Sequence, residues 1–182
     1  MAEMKVFSTG IDPEDWIPHR FTALGEGKTP SIFWQHLPEK TQSLVLVMEW
    51  REAASGQRVH WLVYDLPPTA EGIHEGGPLP AGAKLGRNDF GESAYHAPEP
   101  DPQHQLRHYD FVLFATDLPT LDLAPGADFA TVKGRLRKAV HGDDIAPPPA
   151  ADVRARELYP LGHIIGNAEF SGHFARDTDR HI

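Results

Sequence analysis

The stretch "GRNDFGESAYHAPEPDPQHQLRHYDFVLFATD", residues 86–117, divides into two halves that follow different rules. From Tyr109 onward, in "YDFVLFATDLP" (109–119), apolar residues alternate with others at the period of a strand, so this half reads as a central β-strand. The first fifteen positions, 86–100, hold Asn, Asp, two aromatics, a His, two Pro and two Gly. Neither a helix nor a regular strand favours that mixture. Two readings stand. Asn88 and Asp89 can bond their own backbone in a turn, with Gly91 supplying a positive φ, or the segment can wall a binding site.

Three further runs resemble strands. "TPSIFW" (29–34) is a short apolar stretch after a Pro turn, "SLVLVME" (43–49) is β-branched and apolar, and "VHWLVYDLP" (59–67) ends at Pro67-Pro68. Residues 68–108 read mostly as loop, longer than connections usually are, and such loops are commonly functional. In "DFATVKGRLRKAV" (128–140), Phe129, Val132, Leu136 and Val140 recur at spacings of three and four, which predicts a peripheral amphipathic helix. "APPPAADVRARELYP" (146–160) is Pro-rich, then weakly helical. "HIIGNAEFSGHFAR" (163–176) predicts a helix or turn followed by a strand.

With 182 residues, one domain is expected. The 26 acidic and 17 basic residues give a net charge near −9, which disfavours duplex nucleic acid, since that affinity comes largely from neutralising phosphates. The same charge disfavours broad contact with anionic membranes. There is no Cys, so disulfides and thiolate chemistry are excluded. The first sixteen residues have no apolar core of a secretion signal, and the longest apolar run, Leu44 to Met48, is too short to span a bilayer. A cytoplasmic protein without integral membrane association is expected.

Three local patterns mimic motifs without completing them. "LGEGKT" (24–29) has Thr22 where a phosphate loop needs its first Gly, and Pro30 follows where a helix must begin. "HQLRH" (104–108) has Gln105 where a zinc protease needs its Glu base. No G-x-S-x-G elbow occurs. A hydrolase or metal enzyme using His60, His104 and His108 is thus the weakest reading. No catalytic residue, metal or cofactor is assigned.

Four segments in order resemble the phosphatidylethanolamine-binding protein family, which includes Raf kinase inhibitor protein. "TPSIFWQHLPEKTQSLVLV" is similar to the family's first block, S/T-P-x-x-x-W-x-x-x-P followed by S-L-x-L. "VHWLVYDLPP" resembles H-W-x-x-x-x-I-P, and 86–117 resembles G-x-N-D-F-G through H-R-Y-x-F-x-L-Y-A-L-D. "GHIIGNAEFSGHFAR" looks like the bacterial branch's C-terminus. The resemblance spans about residues 5–176. It implies a mainly β fold, a large antiparallel sheet with a smaller sheet packed on it and peripheral helices. It also implies a small surface pocket for phosphate-like anions and phospholipid head groups, and links to kinase or protease inhibition. Catalysis is not an established property of the family.

Carried over residue by residue, the resemblance puts His60 at the His of H-W and Tyr109 at the Tyr of H-R-Y. Two positions depart. The acidic D-P-D-A-P segment falls on "WREAA" (50–54), so Trp50 replaces its first Asp, while Glu52 and the adjacent Glu49 remain as acids. The pocket His of H-R-Y is Arg107. Arg107 is then expected either to clamp an anion or to fill the pocket by pairing with Glu49, Glu52 or Asp89, with the bulk of Trp50 favouring the filled state. Asn88, Asp89, Phe90, Gly91, Tyr95 and Pro98 are expected to support the pocket loop. Residues 143–160 look inserted relative to the bacterial pattern, with Pro147-Pro148-Pro149 favouring an extended, mobile segment. Two functions follow as expectations: a non-enzymatic protein with a modified small-anion pocket, or an interaction module with a vestigial pocket that acts through 143–160 or the rim loop.

Overall fold

The computed structural model describes residues 3–52, 56–103, 105–138 and 162–175, without the side chains of Glu52, Arg137 and Lys138. The stretch 143–160, expected to be an insert, lies outside them. Strands run in the order β1 (Lys5–Phe7), β2 (Asp15–Trp16), β3 (Ile32–Gln35), β4 (Ser43–Glu52), β5 (Gly56–Leu66), β6 (Gly72–Ile73), β7 (Lys84–Leu85) and β8 (Arg107–Thr116). A short helix α1 (Phe129–Gly134), β9 (Leu136–Lys138) and β10 (Gly162–Phe174) follow. The large sheet has the order β2-β10-β8-β4-β5-β7, with β9 also beside β10, and the small sheet is β1-β3-β6. Pairing is antiparallel from β10 through β7, while the short strands β2 and β9 run parallel to β10. No described helix is long and apolar enough to cross a membrane.

The unbroken apolar run of β4 has a direct cause: both faces of the large sheet are covered. Leu44, Leu46 and Met48 join Val6, Ile32, Trp34 and Ile73 of the small-sheet side in one core. Val45 and Val47 point the other way, into a second core with Leu121, Val132 and Leu136. Each such side chain, removed from water, contributes roughly 1.5–3 kcal/mol. The strand expected at 109–119 is interior, between β10 and β4, and runs from Arg107 to Thr116.

Two local expectations are overturned. The helix expected over 128–140 stops at Gly134. Asp128 caps it by accepting from the Thr131 backbone N–H at 2.9 Å, but Leu136–Lys138 leaves the helix to pair with Gly162–Ile164. Gly134 is a poor helix former, and Val132 and Leu136 reach the same core without helical continuity. The helix or turn expected at the start of 163–176 is absent, because residues 162–174 form one strand. Gly162, Gly166 and Gly172 hid its alternation. Each sits where the strand passes close to a neighbour, and a Cβ on Gly172 would come within 2.8 Å of Ile17 Cγ1. The turn at 24–29 carries no phosphate-loop geometry; its Lys28 ammonium pairs with Glu75 at 3.0 Å.

Candidate functional site

A register shift in β5 creates the site. Met48 of β4 lies opposite Trp61, yet the next residue, Glu49, lies opposite Val59, so His60 is the extra residue of a β-bulge. Such bulges re-aim a side chain. Beyond the bulge, Arg58 and Tyr109 both lie opposite Trp50, on the two sides of β4. Directly opposed residues share a face, as do residues two apart on a strand, so Arg107 joins this row. Tyr109 and the partly buried Trp50 pack on the core beneath the small sheet.

The rim loop 86–100 is bolted to β5 at several points. The Asn88 side chain accepts from the backbone N–H groups of Phe90 (2.9 Å) and Glu92 (3.0 Å) and donates to the Ala94 carbonyl (2.9 Å). Asp89 accepts from the Val59 N–H at 2.6 Å, while its own N–H donates to the Val59 carbonyl at 2.9 Å. Gly91 supplies a φ of 82°. The Tyr95 hydroxyl donates to the Phe21 carbonyl at 2.7 Å and its ring meets Trp61 edge-on; burial pushes its pKa up. The Pro98 carbonyl accepts from the Ala23 N–H. These contacts brace the loop. Phe90 does more: it stacks on His96 with centroids 3.7 Å apart and meets His60 edge-on at 4.9 Å.

A cavity of about 250 Å³ opens between loop and sheet, lined by Trp50, Arg58, His60, Phe90, His96, Glu99 and Arg107. His60 is 1% exposed. Its Nδ1–H donates to the His96 carbonyl at 2.8 Å, and its Nε2 is buried with no protein partner. Burial lowers its pKa to about 4, only partly countered by the bond to His96. Tyr109 stands edge-on to His60 at 5.2 Å, and its buried hydroxyl, with Arg107 nearby, makes no hydrogen bond of good geometry to the protein. Burial raises the Tyr109 pKa to about 12, against the hydrogen-bonding pull and then the charge of the neighbouring Arg107 guanidinium.

Arg107 does not pair as the sequence suggests. Its guanidinium lies over the Trp50 ring at 3.9 Å, Nη2 meets Asp101 at 3.0 Å and Nη1 donates to the Glu99 carbonyl at 3.3 Å, which leaves Nε buried and unpartnered. Two of the proposed acids, Glu49 and Asp89, are engaged elsewhere. Glu49 and Trp50 are consecutive strand residues and face opposite sides of the sheet. Glu49 accepts from Gln57 at 3.0 Å, and burial raises its pKa. It therefore leaves the set of ligand-binding residues. Asp89 holds Val59, and Glu52 lies opposite Gly56 at the hairpin end. Trp50, expected to crowd the cavity, instead forms a wall on which Arg107 rests.

Sequence reading missed His96, Glu99, Arg58 and Asp101. His96 and Glu99 lie inside the rim loop, and His96 reaches Glu92 (2.9 Å) and Glu99 (3.1 Å) with its two ring nitrogens. Their signal was proximity to Pro98. Arg58 needed the register, and Asp101 needed the loop's return path. Of the other His candidates, His104 lies outside the described residues, and His108 is exposed on β8 beside His173. Among the described residues no cluster of His, Asp and Glu is arranged to hold a metal.

Known proteins match this architecture. The fold is similar to the crystal structure of CT736, a phosphatidylethanolamine-binding protein homolog from Chlamydia trachomatis, with a TM-score of 0.75 over 97% of this chain and 100% of that one at 25% identity. Escherichia coli YbcL, described as a member of the mammalian family, shares the fold with a TM-score of 0.73 over 96% and 99% of the two chains at 22% identity. In sequence, a UPF0098 protein of Aquifex aeolicus is 39% identical over 138 residues, 74% of this chain and 81% of the relative. The family model for phosphatidylethanolamine-binding protein matches residues 7–146. The chain belongs to the phosphatidylethanolamine-binding protein family.

Proposed function

We propose that this protein is a non-catalytic binding protein for a small phosphate-like anion, held between His60 and Arg107. One observation carries the reading: His60 and Arg107 line the same cavity, and each buries a nitrogen that no protein group satisfies. Buried polar atoms are almost always paired, so unpaired ones converging on a cavity point to a ligand. Arg107 serves as a clamp rather than a plug. Asp101 and Trp50 fix its guanidinium at the wall, and the cavity remains. No Ser, Thr, Cys or Lys stands among the lining residues as a nucleophile.

Calorimetric titration with inorganic phosphate and with phosphoethanolamine tests this. Arg107→Ala is expected to lose roughly 1.5–3 kcal/mol of phosphate affinity, the range for a charged hydrogen bond. A gain on removing Arg107 would instead establish the filled pocket. Absence of binding by the intact protein would overturn the ligand reading.

A further inference from the structure

Resting on that anion-pocket reading, we infer that the site selects an oxyanion carrying its own hydrogen, inorganic phosphate or a phosphate monoester, over one that has none, such as sulfate or a phosphodiester.

The argument starts at the His60 ring. A backbone carbonyl can only accept, so the 2.8 Å contact with the His96 oxygen places a hydrogen on Nδ1. A neutral imidazole has only one such hydrogen, so Nε2 presents a bare lone pair. The groups around the ring oppose a second proton. Burial is the largest effect, and His96 of the rim loop and Arg107 of β8 add positive charge. The Nδ1–H bond to the His96 carbonyl and, to a lesser degree, the Glu99 carboxylate pull the other way without overcoming burial. Arg58 of β5 adds a further cation to the cavity lining, and Tyr109 of β8 meets the ring with its edge. Burial holds the His60 pKa at about 4.

The cavity therefore offers two unlike contacts. Arg107 Nε–H is a donor and His60 Nε2 is an acceptor, each buried without a protein partner. A ligand satisfies both only if it has an O⁻ for the arginine and an O–H for the histidine. Inorganic phosphate has both throughout the neutral range. A monoester has both until its last phosphate proton leaves, near pH ~6. Sulfate and a diester have none to give. Their oxygen lone pairs meet the Nε2 lone pair, unless the ring takes up a proton against its burial. At neutral pH that costs up to about 1000-fold in affinity, ten-fold for each pH unit above the ring's pKa.

Calorimetry on the full chain at pH 7.5 and constant ionic strength, with sodium phosphate and then sodium sulfate, is the decisive pair. Phosphate is expected to bind at least ten-fold more tightly. A smaller ratio, or tighter sulfate binding, overturns the selectivity while leaving the anion pocket standing. Failure of both anions overturns the pocket itself. At pH ~5.5, where methyl phosphate keeps its last proton, it should bind and dimethyl phosphate should not, and its binding should weaken above pH ~6; equal binding of the two esters at pH ~5.5 also overturns the selectivity. In His60→Gln, whose amide can turn a donor into the cavity, the phosphate-to-sulfate ratio should fall toward one if circular dichroism shows the fold intact. An unchanged ratio in that folded variant would remove His60 as its source. The wild-type comparison does not depend on the variant.

Discussion

His60 and Asp65 lie five residues apart on β5, each at or beside a register shift against β4, and both are buried and polar. Their surroundings differ. Asp65, at φ 55°, has both oxygens engaged: Oδ1 accepts from the Leu121 N–H at 2.8 Å, and Oδ2 takes the Thr120 hydroxyl at 2.8 Å and the Lys84 ammonium at 2.9 Å. His60 uses one nitrogen and leaves the other bare. The groove beside Asp65 is the larger, about 580 Å³ against about 250 Å³. Volume alone would choose the groove beside Asp65. A polar group whose bonds are complete holds the fold together, and one whose bonds are incomplete stands ready for something from outside.

That contrast breaks most visibly if Asp65 proves dispensable. Asp65→Ala strips acceptors from a buried N–H, a hydroxyl and an ammonium at once, so urea denaturation should show a loss of about 3–5 kcal/mol. Phosphate affinity should not change in the folded fraction.

The second test is pH. The unfolded chain protonates His60 near its ordinary value of 6.5, whereas the folded chain does so near 4. The unfolded state thus binds more protons in between, and stability is lost as pH falls through that window, by roughly 3 kcal/mol from this group. In His60→Gln the corresponding part of the pH dependence should vanish. If the midpoint's slope against pH persisted unchanged, His60 would not be the buried neutral ring described.

Trp50 gives a smaller effect. Its ring supports the Arg107 guanidinium at 3.9 Å, a contact worth about 0.5–2 kcal/mol. Trp50→Ala should therefore weaken phosphate binding by about 1 kcal/mol by calorimetry. Tighter binding would restore the view of Trp50 as an obstruction.

Glu49 lies between the two extremes, with Oε1 bonded to Gln57 and Oε2 buried and bare. It faces the opposite side of the sheet from the cavity. Burial raises its pKa, so its contribution is unfavourable above that value and shrinks as it protonates. Glu49→Gln is expected to stabilise the protein at neutral pH by under about 1 kcal/mol, read from the denaturation midpoint, and to leave phosphate binding alone. A loss of binding would return Glu49 to the site.

Much of this molecule was legible in the chain. The runs 43–49 and 59–67 and the alternation from Tyr109 announce buried strands because a side chain's burial on both faces must be written in its chemistry. The rim loop was equally plain, since Asn88, Asp89 and Gly91 fold upon themselves and close neighbours. His60 and Tyr109 came from the order of four segments; His60 lines the cavity, while Tyr109 meets the His60 ring edge-on and is not among the lining residues. What remained hidden depended on partners distant in sequence. Leu136–Lys138 carries helical spacing and becomes a strand because Gly162–Ile164 comes alongside. One extra residue at His60 decides which side chains meet across β4 and β5. Glu49 and Trp50 are neighbours in the chain and lie on opposite faces of a sheet. Arg107 had several acids to choose from, and only the loop's return brought Asp101 to it. Hydrophobic pattern is a local property and can be read locally; strand register and ion pairing are set by which segments lie side by side, and only the folded chain decides that.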